Sequence, residues 1–227
     1  MKRFSFKILA VAAAVCAVCW LGCGGGDDNP ADNNNRSNNN NNGGGSYDYV
    51  NLGGKKWMKK NLNIATTDSK CYGEGGEECD VMGECWTLSS AEIQANCNKY
   101  GRLYTWETAK SACQSIGMRL PSHQELDDLV TAAGGAKKLK TTNGWFNNGN
   151  GTNETGFSAL PGGLRYYSGT FYGAGGFGIW WTATEGEYEN SDKAVGRSIG
   201  YDDDEVGVGS VSKEFFGLLS VRCVKDD

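Results

Sequence analysis

This sequence predicts an α+β fold built as one disulfide-stabilised domain. Three observations carry that expectation: two capped amphipathic stripes between Thr105 and Gly135, a change to aromatics, glycines and turns after Lys140, and six cysteines downstream of residue 46. Helices early and strands late favour α+β over alternating βαβ units. The expected architecture is two main helices, short twisted antiparallel sheets and long loops.

The elements follow in chain order. Tyr47 to Met58 reads as a hairpin turning at Gly53-Gly54, with Tyr49, Val50, Trp57 and Met58 on its strands. Thr66 to Thr87 is polar and glycine-rich and holds three cysteines, which predicts a stapled loop. Ser89-x-x-Glu92 is a capping-box pattern, and Ile93 and Cys97 at i, i+4 predict a short helix. The first main helix starts from Thr105 as N-cap and carries Trp106, Ala109, Cys113 and Ile116 up to Gly117. The second opens with Pro121 and the box Ser122-x-x-Glu125. Leu126, Leu129 and Val130 form its apolar face, and Gly134-Gly135 ends it. Expected strands are Gly163 to Tyr167, Thr170 to Tyr172, Ile179 to Thr184, Ala194 to Tyr201, Val206 to Val211 and Leu218 to Val224. The sequence shows no internal repeat.

Ahead of the domain lies an export signal. Lys2, Arg3 and Lys7 precede an uncharged apolar run from Ile8 to Leu21, too short for a bilayer span of about 20 residues. The run ends in Leu21-Gly22-Cys23-Gly24, which resembles the lipobox of bacterial lipoproteins. That resemblance implies a signal peptide over 1–22 and lipidation of Cys23, with the membrane as a partner through the anchor. The alternative is an ordinary cleaved signal in which Cys23 carries nothing. Residues 23–46 follow as a tether, with nine asparagines and six glycines between Gly24 and Ser46 and no large apolar side chain. Such a segment cannot bury enough surface to offset its ordering entropy, and its typical reach is about 25 to 30 Å. The folded domain is expected over 47–227.

Past the signal, the chain has 19 basic and 27 acidic groups, a net charge near -8. That balance argues against nucleic acid, whose phosphates repel it, and against a polyanionic membrane surface. Cys71, Cys79, Cys85, Cys97, Cys113 and Cys223 remain once Cys16 and Cys19 leave with the signal and Cys23 carries lipid. An even number in an exported chain predicts three bridges. Zinc is the rival, but no pair among these six has Cys-x-x-Cys spacing. Six cysteines permit 15 pairings, and the sequence alone does not choose.

Candidate chemistry is sparse. His123 is the single histidine, in the first turn of a helix, where a solvent-facing role outweighs that of a catalytic base. No Gly-x-Ser-x-Gly elbow accompanies it. Asp202-Asp203-Asp204-Glu205 is a run of hard oxygen ligands such as Ca²⁺ prefers, although acidic runs are usually solvated turns. Asn147 to Glu154 is also oxygen-rich, although Asn-Gly steps are first of all turn formers. The sequence leaves open whether either holds calcium, and no metal, cofactor or catalytic residue is assigned.

The aromatics are more suggestive, with ten of them between Trp145 and Trp181. Phe157 is expected in the core with one of Trp180 and Trp181, since adjacent strand residues face opposite sides. Outward members interleaved with glycine form a platform for sugar rings or a protein partner. The competing expectation is that they pack under long loops. The candidate ligand-binding residues are Trp145, Tyr167, Tyr172, Trp180 and Trp181.

Several stretches are recognisable together. They are Trp57-Met58-Lys59-Lys60-Asn61-Leu62-Asn63, Tyr100-Gly101-Arg102-Leu103-Tyr104-Thr105-Trp106, Ala112-Cys113 and Arg119-Leu120-Pro121-Ser122. They continue with Gly156-Phe157-Ser158-Ala159-Leu160-Pro161-Gly162-Gly163, Trp180-Trp181-Thr182-Ala183-Thr184 and Ser220-Val221-Arg222-Cys223. In this order they resemble the Fibrobacter succinogenes major paralogous domain of exported bacterial proteins, over roughly Tyr47 to Asp227. That family in turn is similar to the C-type-lectin-like fold and the formylglycine-generating-enzyme group.

In C-type-lectin-like domains a helix cysteine pairs with one on the last strand, which implies Cys113–Cys223 here. A loop of that size contributes about 4.7 kcal/mol against the unfolded chain. Cys71–Cys97 and Cys79–Cys85 are the pairing taken for the remainder. Formylglycine-generating enzymes hold copper with two reactive cysteines, and no mature cysteine here is spare. Calcium-dependent lectins use Glu-Pro-Asn or Gln-Pro-Asp. None of Pro30, Pro121 and Pro161 lies in such a tripeptide.

The expected function is therefore that of a non-enzymatic surface binding or adhesion module. It is lipid-anchored at the outer membrane or cell surface, with a polysaccharide or another envelope component as ligand. Gly24 after Cys23 favours export beyond the inner membrane. The alternatives are a structural envelope protein without small ligand and an enzyme related to the formylglycine-generating group.

Overall fold

Local chemistry places most elements of the chain. The computed structural model describes residues 47–80, 83–186, 192–214 and 217–226, so the expected signal peptide, Cys23 and tether lie outside the described residues. Gly53 and Gly54, both at positive φ, turn the chain between β1 (Tyr49–Leu52) and β2 (Lys55–Met58), which pair antiparallel. Two left-handed residues match the strand twist of a tight hairpin, and glycine adopts them without a Cβ clash. The Thr66 to Thr87 segment is not a plain loop. It contains β3 (Ser69–Cys71), β4 (Glu77–Cys79) and β5 (Cys85–Thr87), strands of three residues each. Runs that short show no readable alternation.

Both capping boxes are formed. Ser89 and Glu92 start α1 (Ser90–Tyr100), a helix of 11 residues as long as either expected main helix. Its described buried residues are Cys97 and Tyr100, so it lacks the apolar stripe that marks a helix in sequence. After β6 (Arg102–Tyr104), Thr105 caps α2 (Trp106–Gln114), which ends before the apolar pattern does. Ser122 and Glu125 cap α3 (His123–Ala133), and Gly134 closes it in the left-handed conformation before the short α4 (Ala136–Leu139). Three helices of 11, 9 and 11 residues and one of 4 thus stand where two main helices and one short helix from Ser89 were expected.

The second half supplies β7 (Gly162–Arg165), β8 (Phe171–Ala174), β9 (Phe177–Glu185), β10 (Lys193–Gly200), β11 (Gly207–Ser212), β12 (Leu219–Ser220) and β13 (Val224–Asp226). Strand β13 joins the first hairpin in a three-stranded sheet, β1-β2-β13. The larger sheet runs β3-β6-β12-β9-β7-β8-β4-β5, with β10 on β9 and β11 on β10. It is mixed, not antiparallel as expected: β9 lies parallel to both β7 and β12, and β4 lies parallel to β8. Strand β8 returns antiparallel along one side of β7, so β9 must come back on the other side in the direction of β7.

The disulfides join Cys113 to Cys223, Cys71 to Cys97 and Cys79 to Cys85, the same three pairs anticipated above. Cys113–Cys223 spans 110 residues and ties α2 to the segment between β12 and β13. The main core gathers Trp57, Leu126, Leu129, Trp145, Phe157 and Trp180 between α3 and the sheets. Trp180 and Trp181 are both buried, contrary to the expectation that one faces out. Strand β9 is central and covered on both faces, as buried sheets are. Trp180 donates to Asn61 Oδ1 on one side, while Trp181 donates to the Tyr104 carbonyl and Trp106 to the Thr182 carbonyl.

Candidate ligand-binding cleft

Two loops that are distant in sequence meet at Lys140. The first, Trp145 to Thr155, is laced back onto α4: Thr152 N donates to the Lys137 carbonyl at 2.9 Å and Gly151 N to the Thr141 carbonyl at 2.8 Å. The Asn-Gly steps divide their work unexpectedly. Asn147 and Asn148 take the left-handed φ values, 47° and 60°. Asparagine tolerates that region better than most residues. Gly149 has an ordinary φ of -74°, and its role is close approach. A Cβ there stands 2.1 Å from the Tyr201 carbonyl oxygen, and one on Gly151 stands 2.2 Å from that of Lys137.

The second loop leaves β10 at Gly200 and carries Tyr201 to Glu205. Its backbone closes on the Lys140 ammonium, which donates to the carbonyls of Gly200 (2.9 Å), Tyr201 (3.3 Å) and Asp203 (3.0 Å). Nζ also lies 4.9 Å from the centre of the Trp145 ring. Lys140 is 2% exposed. Burial pushes its pKa down, while Asp204, Asp203 and Asp202 act in the opposite direction. Buried charge is tolerated when every donor finds an acceptor, and here three carbonyls serve three ammonium protons.

Above this junction lies a cleft of about 220 Å³ lined by Lys137, Asn147, Asn148, Tyr201, Asp202 and Asp204 among others. The side chains of Asn147 and Asn148 are exposed and make no hydrogen bond among the described residues. Phe146, 48% exposed, precedes them just outside the cleft lining, with its ring against the Gly175-Gly176 turn. Phe146 N donates to the Gly175 carbonyl and Tyr201 N to that of Gly176, so one turn fixes both walls. A second cavity of about 220 Å³ borders Arg119 and Asp226, but there the charges already pair with Glu125 and Lys55.

The structure corrects the expected aromatic platform. Trp145 lies under Lys140 and donates Nε1 to Thr141 Oγ1, and Trp180 and Trp181 are core. These three present no ring to a ligand. Their indole N–H groups all find partners inside, which makes burial of so large a side chain favourable. Tyr172 is half-buried between Tyr166 and Phe177, and Tyr167 is 63% exposed on the turn after β7. Neither lines the cleft. Phe146 is the residue that sequence reasoning missed. The left-handed Asn147 and Asn148 just after it were the available signal, since they turn the chain and lift the ring from the core.

The two oxygen-rich segments, Asn147 to Glu154 and Asp202 to Glu205, are brought to one place. Among the described residues no group of three or more His, Cys, Asp and Glu side chains is gathered as a metal would need. His123 is half-exposed, with Nδ1 3.7 Å from Asp127, whose other oxygen pairs with Arg197. The six cysteines Cys71, Cys79, Cys85, Cys97, Cys113 and Cys223 are all in disulfides.

Residues 50–225 match the family model of the Fibrobacter succinogenes major domain. The chain belongs to that family. No curated protein and no solved structure matches it. In this Fibrobacter succinogenes major domain, the stretches that carry the resemblance build the interior. Trp180 and Arg222 both donate to Asn61 Oδ1, and Trp106 and Trp181 bond the backbone around them. Lys140, Phe146 to Asn150 and Tyr201 to Asp204 lie outside those stretches.

Proposed function

We propose that this Fibrobacter succinogenes major domain is an exported lipoprotein, anchored through Cys23, that works as a binding or adhesion module at the outer membrane or cell surface. Its ligand is a polysaccharide or another envelope component, held at the Phe146 cleft. The observation that carries the reading is the meeting of two oxygen-rich loops beside an exposed aromatic ring. Recognition sites combine an apolar surface with a few placed polar groups. Here Phe146, next in the chain to the cleft-lining Asn147, supplies the first beside the cleft, and the lining asparagines and aspartates supply the second. The Asn/Gly-rich stretch after Cys23 supports a tether that holds the domain off the lipid surface. A C-type-lectin-like ancestry is supported by the mixed α+β architecture and by the bridge from α2 to the chain's last segment.

The test is a pull-down on insoluble polysaccharides with a glycan array, using the full chain in detergent. Phe146→Ala and Asn148→Gly should each weaken binding about tenfold, which is about 1.4 kcal/mol, with the glycine taking the φ of 60° at little cost in melting temperature. Binding that ignores both substitutions would remove the cleft from the account. Failure to retain any polymer would favour a structural envelope protein. Thiol titration of the unreduced, denatured mature protein should find none free, whereas two would revive an enzyme of the formylglycine-generating type.

A further inference from the structure

We propose that the cleft takes an uncharged polyhydroxylated chain and holds it without a bridging metal ion. This rests on the binding-module reading above and names its class of ligand. The first ground is what fills the oxygen cage. A calcium ion bridging ligand to loop needs six to eight oxygens around it at roughly 2.3–2.6 Å. The carbonyls of Gly200, Tyr201 and Asp203 do converge, but on Lys140 Nζ. An ammonium has three protons to donate, so these contacts saturate it. The indole of Trp145 borders it on a further side. The loop pair therefore carries its own cation, supplied covalently by the residue that follows α4, and has no vacancy at its centre for a second one.

The second ground is the sign of the rim. Asp202, Asp203, Asp204 and Glu205 are exposed in one turn. Against them stands exposed Lys137, while Lys138 is engaged by Glu154 at 3.3 Å. A polymer bearing carboxylates or phosphates meets like charge there, a juxtaposition that suppresses wrong partners by several kcal/mol. Neutral hydroxyls meet no such barrier. They donate to the carboxylates and accept from the amides of Asn147 and Asn148, charge-assisted bonds being the stronger of the two kinds. Phe146 offers its ring to the apolar face of a sugar. The volume of about 220 Å³ is below the roughly 300–1,000 Å³ of pockets that swallow a ligand whole, which suits a chain lying across the surface.

Titration of the full chain in detergent with a neutral soluble β-glucan and with polygalacturonate separates the outcomes. The β-glucan should bind equally in EDTA and in millimolar calcium, with about tenfold or more preference over polygalacturonate at low salt. The double variant Asp202→Asn/Asp204→Asn should lose that preference by gaining affinity for polygalacturonate. Terbium added to the unsubstituted protein should give no emission sensitised by Trp145. Binding abolished by EDTA, terbium emission, or a preference for polygalacturonate would each overturn the inference while the module reading stands. Retention of neither polymer, with an array blank for every glycan, sinks both together.

Discussion

Arg222 lies buried at 1% exposure and directs Nε and Nη2 to Asn61 Oδ1, at 3.2 and 3.0 Å. The same guanidinium donates to the carbonyls of Met58, Phe157 and Ser158 and stacks 4.2 Å from the Phe157 ring centre. No carboxylate pairs with it among the described residues. Burial pushes its pKa down to about 9, which still leaves it cationic at neutral pH. One side chain thus clamps β2's exit, the loop before β7 and the chain's final segment. Arg222→Met keeps the apolar volume but leaves three carbonyls without this donor and Asn61 Oδ1 with the Trp180 indole in place of three N–H groups. The expected cost is at least about 1–3 kcal/mol in urea unfolding, the range for leaving buried acceptors unpaired. A cycle with Asn61→Ala should show coupling of about 0.5–3 kcal/mol. Strict additivity would mean the two residues are independent.

Acid should unfold the domain through the cluster at the other end of β13. The Arg119 guanidinium, with the Ser122 amide and Lys55, holds the Glu125 carboxyl below the usual carboxylate range. Lys55 and Arg119 do the same for Asp226. A carboxylate whose folded pKa is depressed contributes stability that is present above its unfolded value and is lost as pH falls through the folded one. Glu78 works in the opposite direction, since burial raises its pKa and its ionised form is disfavoured in the fold. Stability should therefore fall below about pH 4.5, more shallowly in Glu125→Gln and more steeply in Glu78→Gln. Urea titrations from pH 7 to pH 3 measure both slopes. An unchanged slope in Glu125→Gln would reject the role given to Arg119.

How far the sequence reaches depends on the range of the interaction that decides each feature. Hydrogen bonds between residues three apart set the helix starts, so Ser89–Glu92, Thr105 and Ser122–Glu125 were legible. The Gly53-Gly54 turn was legible for the same reason. Strands β3, β4 and β5 were not, because three residues hold less than two periods of alternation. Trp180 and Trp181 misled because period-two reasoning assumes one open face, whereas β9 is closed on both. Lys140 gave no local sign of burial, since its acceptors lie about 60 residues away at Gly200 to Asp203. The two oxygen-rich segments were visible singly, and their meeting needed the fold.

Lys140→Met tests whether the ammonium organises the cleft. The substitution keeps a flexible apolar stem and removes the donor shared by Gly200, Tyr201 and Asp203. Buried acceptors left unpaired cost about 1–3 kcal/mol. The expected loss is of that size in thermal unfolding, with faster amide exchange confined to residues 200–205 and to Gly149 through Thr152. Protection unchanged in those loops would show that β10 and α4 hold the cleft open without help from the lysine.

Glycines and asparagines of the same loop should respond in opposite ways to exchange. Gly149→Ala places a methyl 2.1 Å from the Tyr201 carbonyl oxygen, a backbone atom that cannot swing aside. Relief requires the Phe146 turn to lift from Tyr201, so the loss should reach about 1–3 kcal/mol, the range for overpacking. Trp145, which lies under the same turn, should then become more accessible, as a rise in the fraction of tryptophan emission open to a quencher, absent in a Trp145→Phe background, would report. Asn148→Gly makes the contrast. Its φ of 60° suits glycine better than asparagine. The side chain forms no bond to the described protein whose loss would offset that relief. Greater freedom of the unfolded glycine opposes the gain, and the two effects are each about 1 kcal/mol or less. Stability should therefore change little in Asn148→Gly while ligand affinity falls, whereas Gly149→Ala should lose both. If Gly149→Ala proved neutral in urea, the close approach of the two loops, and with it the cleft, would be wrong.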